Sequence, residues 1–267
     1  MRHMVPAKHQ KFLDAALNYF KADARALGVA AGGSLCAATM DEYSDLDLVV
    51  VVAPHARAEI MAERKQIAAK LGPMLTVFTA EHVGEPRMVI AIYGPPPLHV
   101  DLKFIDITEL EKRVENPRVL FERDGALSAV IAATQPAPPG PINLEWLEER
   151  FWGWTHYNIE KTLRGEWLEC HAGAGFVNNV VLGPMALTAA GYSGLDKQGV
   201  RRLETRAPEV AAKLRACMAA HDRASFLRVW QVQADLYTEL RQKLSCRPVI
   251  VSAAEKVVRE YLAAHMK

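Results

Sequence analysis

Two aspartates one residue apart, Asp45 and Asp47, stand at the mouth of an unbroken apolar run, Leu48 to Val52. On a strand their side chains share a face about 7 Å apart, while Leu46 and Leu48 point the other way. The four valines suit a central strand buried on both faces, where neighbouring carboxylates need a cation between them. Upstream, the small apolar segment Val29 to Ala31 leads into Gly32-Gly33-Ser34, and ten residues separate Ser34 from Asp45. The glycines let the backbone turn tightly and lie against a ligand. Ser34 is expected to cap a short following helix whose free N–H groups attract phosphate. A phosphate cradle beside a carboxylate pair for magnesium describes a site for a nucleoside triphosphate. The plain alternative is a turn followed by a solvated strand end, and the ordered combination favours function over it.

A third acid lies further on, in the alternating segment LHVDLKFI. Val100, Leu102 and Phe104 face one way; His99, Asp101, Lys103 and Ile105 face the other. Asp101 could complete a metal cluster with Asp45 and Asp47, or take the proton from an incoming hydroxyl. The bland alternative pairs it with Lys103 or another surface cation. A constellation of three acids and a glycine turn outweighs its parts.

Gly33, Ser34, Asp45 and Asp47 match the signature of the nucleotidyltransferase superfamily, a Gly-Ser pair followed after roughly ten residues by Asp-x-Asp on a strand. The chain resembles that superfamily, and Asp101 stands where its third carboxylate is carried. The resemblance implies transfer of a nucleoside monophosphate, AMP from ATP, to a hydroxyl of a small molecule, with Mg2+ as cofactor. Asp45, Asp47 and Asp101 would hold the metal and serve catalysis, with Asp101 as base or metal ligand. Gly33 and Ser34 would grip the terminal phosphates. A later helix with its Lys161-x-x-Arg164-Gly165-Glu166 looks like the corresponding segment of lincosamide nucleotidyltransferases and related aminoglycoside adenylyltransferases. That closer likeness implies an antibiotic acceptor, and antibiotic resistance as the role, although a housekeeping metabolite fits the same residues. The competing reading is a nucleotide-binding or antitoxin-like module that binds or modifies a partner protein. Such modules are much shorter than this chain.

Composition sets the frame for these residues. Of 267 residues, 50% are hydrophobic and 24% charged, with a formal net charge of +1. That balance is globular and gives no bias towards nucleic acid. Cys36, Cys170, Cys217 and Cys246 show no Cys-x-x-Cys spacing and read as reduced thiols. The segment MRHMVPAKHQ lacks the apolar core of a signal peptide, and no run of eighteen apolar residues occurs. A cytoplasmic protein without a membrane partner, monomeric or homodimeric, is expected.

The elements that must position the acids follow from periodicity. An amphipathic helix is expected from Pro6 to Leu27, ending at Gly28. After the Asp-x-Asp strand a second helix should run from about His55 to Leu71. Strands are expected over Met74 to Phe78, Met88 to Tyr93 and Leu98 to Ile105, the last two parted by Gly94-Pro95-Pro96-Pro97. Residues 108–134 resist placement. The expected fold is α+β: a small mixed-sheet nucleotidyltransferase domain (1–134), a linker (135–141, QPAPPGP), and an all-α helical bundle for the substrate (142–267). Helices are expected over Asn143–Arg164, Gly175–Ala190, Pro208–Ala220, Ala224–Leu244 and Val249–His265. Four of the five tryptophans (Trp146, Trp152, Trp154, Trp167) fall in residues 143–169, the first of these stretches and the turn that follows it. Leu147, Phe151, Trp154, Asn158 and Lys161 share a face there. An apolar stripe ending in Lys161 could start in the core and finish at a domain cleft, with Lys161 neutralising the triphosphate. The equally open alternative is that the tryptophans pack the core and Lys161 is solvated.

Overall fold

The computed structural model describes residues 5–194, 198–216, 218–245 and 252–266, and the chain divides into two compact units, Met1–Pro138 and Pro139–Lys267. The first is an α/β layer built on a six-stranded mixed sheet; the second is helical. The fold class is α+β.

Helix α1 (Ala7–Ala22) buries His9, Phe12, Leu13, Ala16 and Phe20, a spacing of three and four that lays one face on the sheet. It ends earlier than its periodicity suggests. Asp23 turns the chain by accepting hydrogen bonds from the backbone N–H and guanidinium of Arg25, and Leu27 enters strand β1 (Ala26–Ala31). There β1 is paired on both edges, to β2 and to β6. Ladder hydrogen bonds on two sides outcompete one more helical turn.

The remaining elements of this unit are α2 (Gly33–Cys36), β2 (Leu46–Val52), α3 (Arg57–Ala69), β3 (Met74–Ala80), β4 (Glu85–Tyr93), β5 (Leu98–Asp106), β6 (Arg118–Glu122) and α4 (Ala126–Ala133). Strand β6 and helix α4 fill the region that periodicity left unplaced. The spatial order is β3-β4-β5-β2-β1-β6. Strands β2 and β5 are parallel and every other neighbouring pair is antiparallel.

Alternation sorts the side chains of the two central strands. Leu46, Leu48, Val50 and Val52 of β2, with Leu98, Val100, Leu102 and Phe104 of β5, join the main core beneath α1 and α3. The opposite face is covered only at one end, where Val51, Ile105, Ala30 and Leu110 pack with Leu127 of α4. At the other end of that face stand Asp47 and Asp101.

The second unit holds α5 (Leu144–Leu163), α6 (Trp167–Val177), α7 (Gly183–Ala189), α8 (Leu203–Arg206), α9 (Pro208–Ala216), α10 (Arg223–Leu244) and α11 (Ala253–His265). Helix α6 begins well before Gly175 and passes to α7 through a π-helical turn, Asn178–Leu182. Pro184 opens α7, so a missing N–H accompanies the widened turn. The run Trp167–Ala189 is long and apolar enough to cross a membrane by composition, yet Val177, Val181, Leu182, Met185, Ala186 and Leu187 form the centre of this unit's core. Helix α9 is described to Ala216, and residues 218–220, expected to continue it, are not helical; Val249 to Val251, expected to open the last helix, lie outside the described residues, as do Cys217 and Cys246.

A buried ion cluster pins this bundle. Glu148 accepts from Trp152 Nε1 (3.1 Å), Tyr237 Oη (2.7 Å), Arg241 Nη1 (2.7 Å) and the backbone N of Ser252 (2.9 Å). Arg241 also reaches Glu255 at 2.9 Å. One carboxylate thereby ties α5 to α10 and to the start of α11. Periodicity gives no sign of it.

Candidate active site

The site begins with strand register. In the parallel pair, Asp47 of β2 is the Cα partner of Asp101 of β5. Partners in register have side chains on the same face, with strands about 4.8 Å apart, so the two carboxylates are neighbours by construction. Both are half-buried. Asp45, just before β2, lies with them.

Asp45, Asp101 and His99 offer ligand atoms that all lie within 4.8 Å of one another. His99 Nε2 sits 2.8 Å from Asp101 Oδ1. Hydrogen bonding to Asp101 raises the imidazole above its ordinary pKa; burial opposes this, and the charges of Asp101, Asp45 and Asp47 add to it. Strand alternation puts His99 on the face of Asp101 without assigning it a role. The signal was present, since His99 and Asp101 are two apart on one strand. Lys103, the surface cation considered for Asp101, pairs instead with Glu85 at 2.6 Å.

Asp47 is not part of the Asp45–His99–Asp101 group; its carboxylate lies against the glycine turn. The backbone N of Gly32 donates to the carbonyl of Asp47 at 2.9 Å. Gly33 has φ +51°, and a β-carbon built there would come within 1.9 Å of Asp47 Oδ2. Gly33 is thus required twice, by its left-handed backbone and by the carboxylate that occupies the space of a side chain. It is exposed, so the turn is open to solvent at this residue.

Ser34 differs from its expected place. The helix N-cap is Gly32, and Ser34 is the second residue of the four-residue α2, making no capping bond. Its side chain turns inward: Ser34 Oγ is buried and has no hydrogen-bond partner. A hydroxyl in that state costs desolvation without a compensating bond.

Lys161 belongs to the second unit. Its Nζ donates to Glu166 Oε2 at 2.7 Å and lies 5.1 Å from the centroid of the Tyr157 ring. Hydrogen bonding to Glu166 raises its pKa. Leu147, Phe151 and Asn158 of the same helical face are buried, and Trp154 is half-buried against Trp146 and Phe176. Trp152 is buried, whereas Trp146 is exposed.

The donor set suits a divalent cation. Metal–ligand bonds of about 2.1 Å place adjacent donors about 3 Å apart, and the ligand atoms of Asp45, His99 and Asp101 all lie within 4.8 Å of one another. The buried Ser34 hydroxyl, with no hydrogen-bond partner, fits a group that offers acceptor oxygens.

No family model matches the chain, and no curated protein matches it. Among solved structures, an aminoglycoside 6-adenyltransferase from Bacillus subtilis is similar over 96% of this chain and 97% of its own, at 15% identity and a TM-score of 0.41. At that level of likeness the functional reading stands on the residues of the site.

Proposed function

We propose that this protein is a metal-dependent nucleotidyltransferase that moves a nucleoside monophosphate, AMP from ATP, onto a hydroxyl of a small molecule. The observation that carries the reading is the register Asp47↔Asp101 across parallel strands, with Gly33 closed against Asp47 on the other side. Three acids and a glycine turn converge from three separate segments, and a solvated strand end has no use for that convergence.

In this proposal Asp45, Asp47 and Asp101 would hold a divalent cation. The bound metal, Mg2+ in the sequence-based reading, neutralises charge developing on the phosphates. The exposed backbone of Gly33 contacts the terminal phosphates, and a rotation of Ser34 gives its hydroxyl an acceptor there. One carboxylate oxygen of Asp101 would face the cation and the other would take the proton of the acceptor hydroxyl. The hydroxyl oxygen then bonds to the α-phosphorus, the bond from that phosphorus to the bridging oxygen breaks, and pyrophosphate departs with the electron pair. Positioning and charge supply most of the acceleration in such a transfer. Lys161 is kept as a candidate phosphate contact, in exchange for Glu166. An aminoglycoside or lincosamide is the proposed acceptor class, and the cytoplasm the proposed compartment.

The test is incubation with labelled ATP, a divalent cation and a panel of hydroxylated antibiotics and metabolites. Pyrophosphate release that depends on one acceptor supports the transferase. Nucleotide binding without release under every acceptor supports the antitoxin-like module instead. An Asp47→Asn variant that transfers at the unmutated rate overturns the role given to that acid.

A further inference from the structure

The Asp45–His99–Asp101 cluster contains an imidazole, and that donor bears on which metal the site selects. We propose that His99 is a direct metal ligand, and that the site therefore prefers a first-row transition ion over Mg2+. The inference deepens the transferase reading, whose residues it shares, but it concerns metal binding alone.

Three observations support it. His99 lies on the same face of β5 as Asp101, two residues away, so a strand holds both donors at fixed spacing. Its Nε2 stands 2.8 Å from Asp101 Oδ1, close to the separation of adjacent donors around one ion. Asp45, from a different segment, completes the group within 4.8 Å. His99 is thus within reach of acids from two separate segments of the chain. Its side chain is 44% exposed, so packing does not explain its position.

The chemistry then decides the ion. Mg2+ is a hard cation that takes oxygen donors in near-ideal octahedra and keeps several of its waters. Imidazole is a borderline donor that suits later first-row metals, and affinity for nitrogen-containing sites rises from Mn2+ along that row. Two carboxylates and one imidazole leave further positions for water or phosphate oxygens, which Mn2+, the weakest binder of the row and a paramagnetic probe, also accepts.

The experiment reads the metal directly on the full chain without nucleotide or acceptor. Pulsed electron paramagnetic resonance of the Mn2+-loaded protein is expected to show imidazole nitrogen modulation, and His99→Gln is expected to lose it. Mn2+ affinity should exceed Mg2+ affinity by at least about tenfold, and the substitution should weaken Mn2+ by about 10–100-fold with a smaller effect on Mg2+. Mn2+ bound without nitrogen modulation overturns the proposal. So does a His99→Gln variant that weakens both ions equally, since an outer partner of Asp101 does that. Circular dichroism of the variant guards against misfolding, and an Asp101→Asn variant must also lose the Mn2+ signal. A protein that shows the nitrogen signal but transfers nothing to any acceptor retains this inference and loses the transferase reading.

Discussion

Gly33 and Asp47 share one volume: a β-carbon on the glycine would stand 1.9 Å from Oδ2 of the aspartate. The carboxylate cannot remain where it is if residue 33 carries a side chain. The positive φ of Gly33 adds backbone strain to the clash. Gly33→Ala is therefore expected to displace Asp47, lowering Mn2+ or Mg2+ affinity at least tenfold and nucleotidyl transfer by more than about 100-fold. Calorimetric titration of the metal checks the first effect and pyrophosphate release the second. A Gly33→Ala protein with unchanged metal affinity removes Asp47 from the site.

His9 governs the approach to Asp45. It is fully buried in α1, and its Nε2 donates to the carbonyl oxygen of Ser44, 2.7 Å away, while Nδ1 is buried without a partner. Ser44 immediately precedes Asp45, and Asp41 braces the same turn by accepting from Ser44 Oγ and the Tyr43 N–H. His9→Leu leaves that carbonyl unsatisfied, with an expected loss of about 1–3 kcal/mol and weakened metal binding. His9→Gln places an amide N–H near the same point and should restore metal affinity. Equal metal affinity in both variants overturns the positioning role.

Acid should unfold the first unit through Glu109. Hydrogen bonds from Arg57 lower its carboxyl from 4.5 to about 2; burial opposes this, and the Asp106 backbone N–H and Arg87 assist. A carboxyl depressed in the folded state contributes stability that is fully present above about pH 4.5. That stability is lost as pH falls towards 2. The full shift corresponds to about 3 kcal/mol, and partial solvent screening reduces it to about 1–2 kcal/mol. Urea titrations between pH 2 and 7 should show the decline in the natural protein and a flatter profile in Glu109→Gln. A steep, unchanged profile in the variant contradicts the assignment.

Glu148 should be the most sensitive single position of the helical unit. Arg241 pairs with it at 2.7 Å, and both side chains are 6% exposed. Removing one member of a buried pair strands the other charge, at a cost of about 3–5 kcal/mol. Glu148→Ala is expected to lower stability by that amount in chemical denaturation. Glu148→Gln, which keeps acceptor and shape, should lose less. Loss below about 1 kcal/mol in the alanine variant argues against the cluster as the bundle's pin.

The sequence by itself determined the pieces that depend on local chemistry. Period-two alternation placed Asp101 and His99 on one face of β5 and the apolar residues on the other. The valine run announced a central strand, and seven residues dense in proline separated a region of strands from a region of helices. Tertiary structure decided what pairing decides. Leu27 became strand because β1 gained partners on both edges, and β6 arose where no periodicity marked it. Asp47 met Asp101 because β2 and β5 run parallel in one register, a fact carried by neither strand alone. His99 became part of the acid group only when Asp45 was brought in from another segment. Ser34 turned inward rather than capping α2, because Gly32 took the cap. Long-range pairing has no local signature, so the chain spelled out the donors and only the folded sheet set the distances between them.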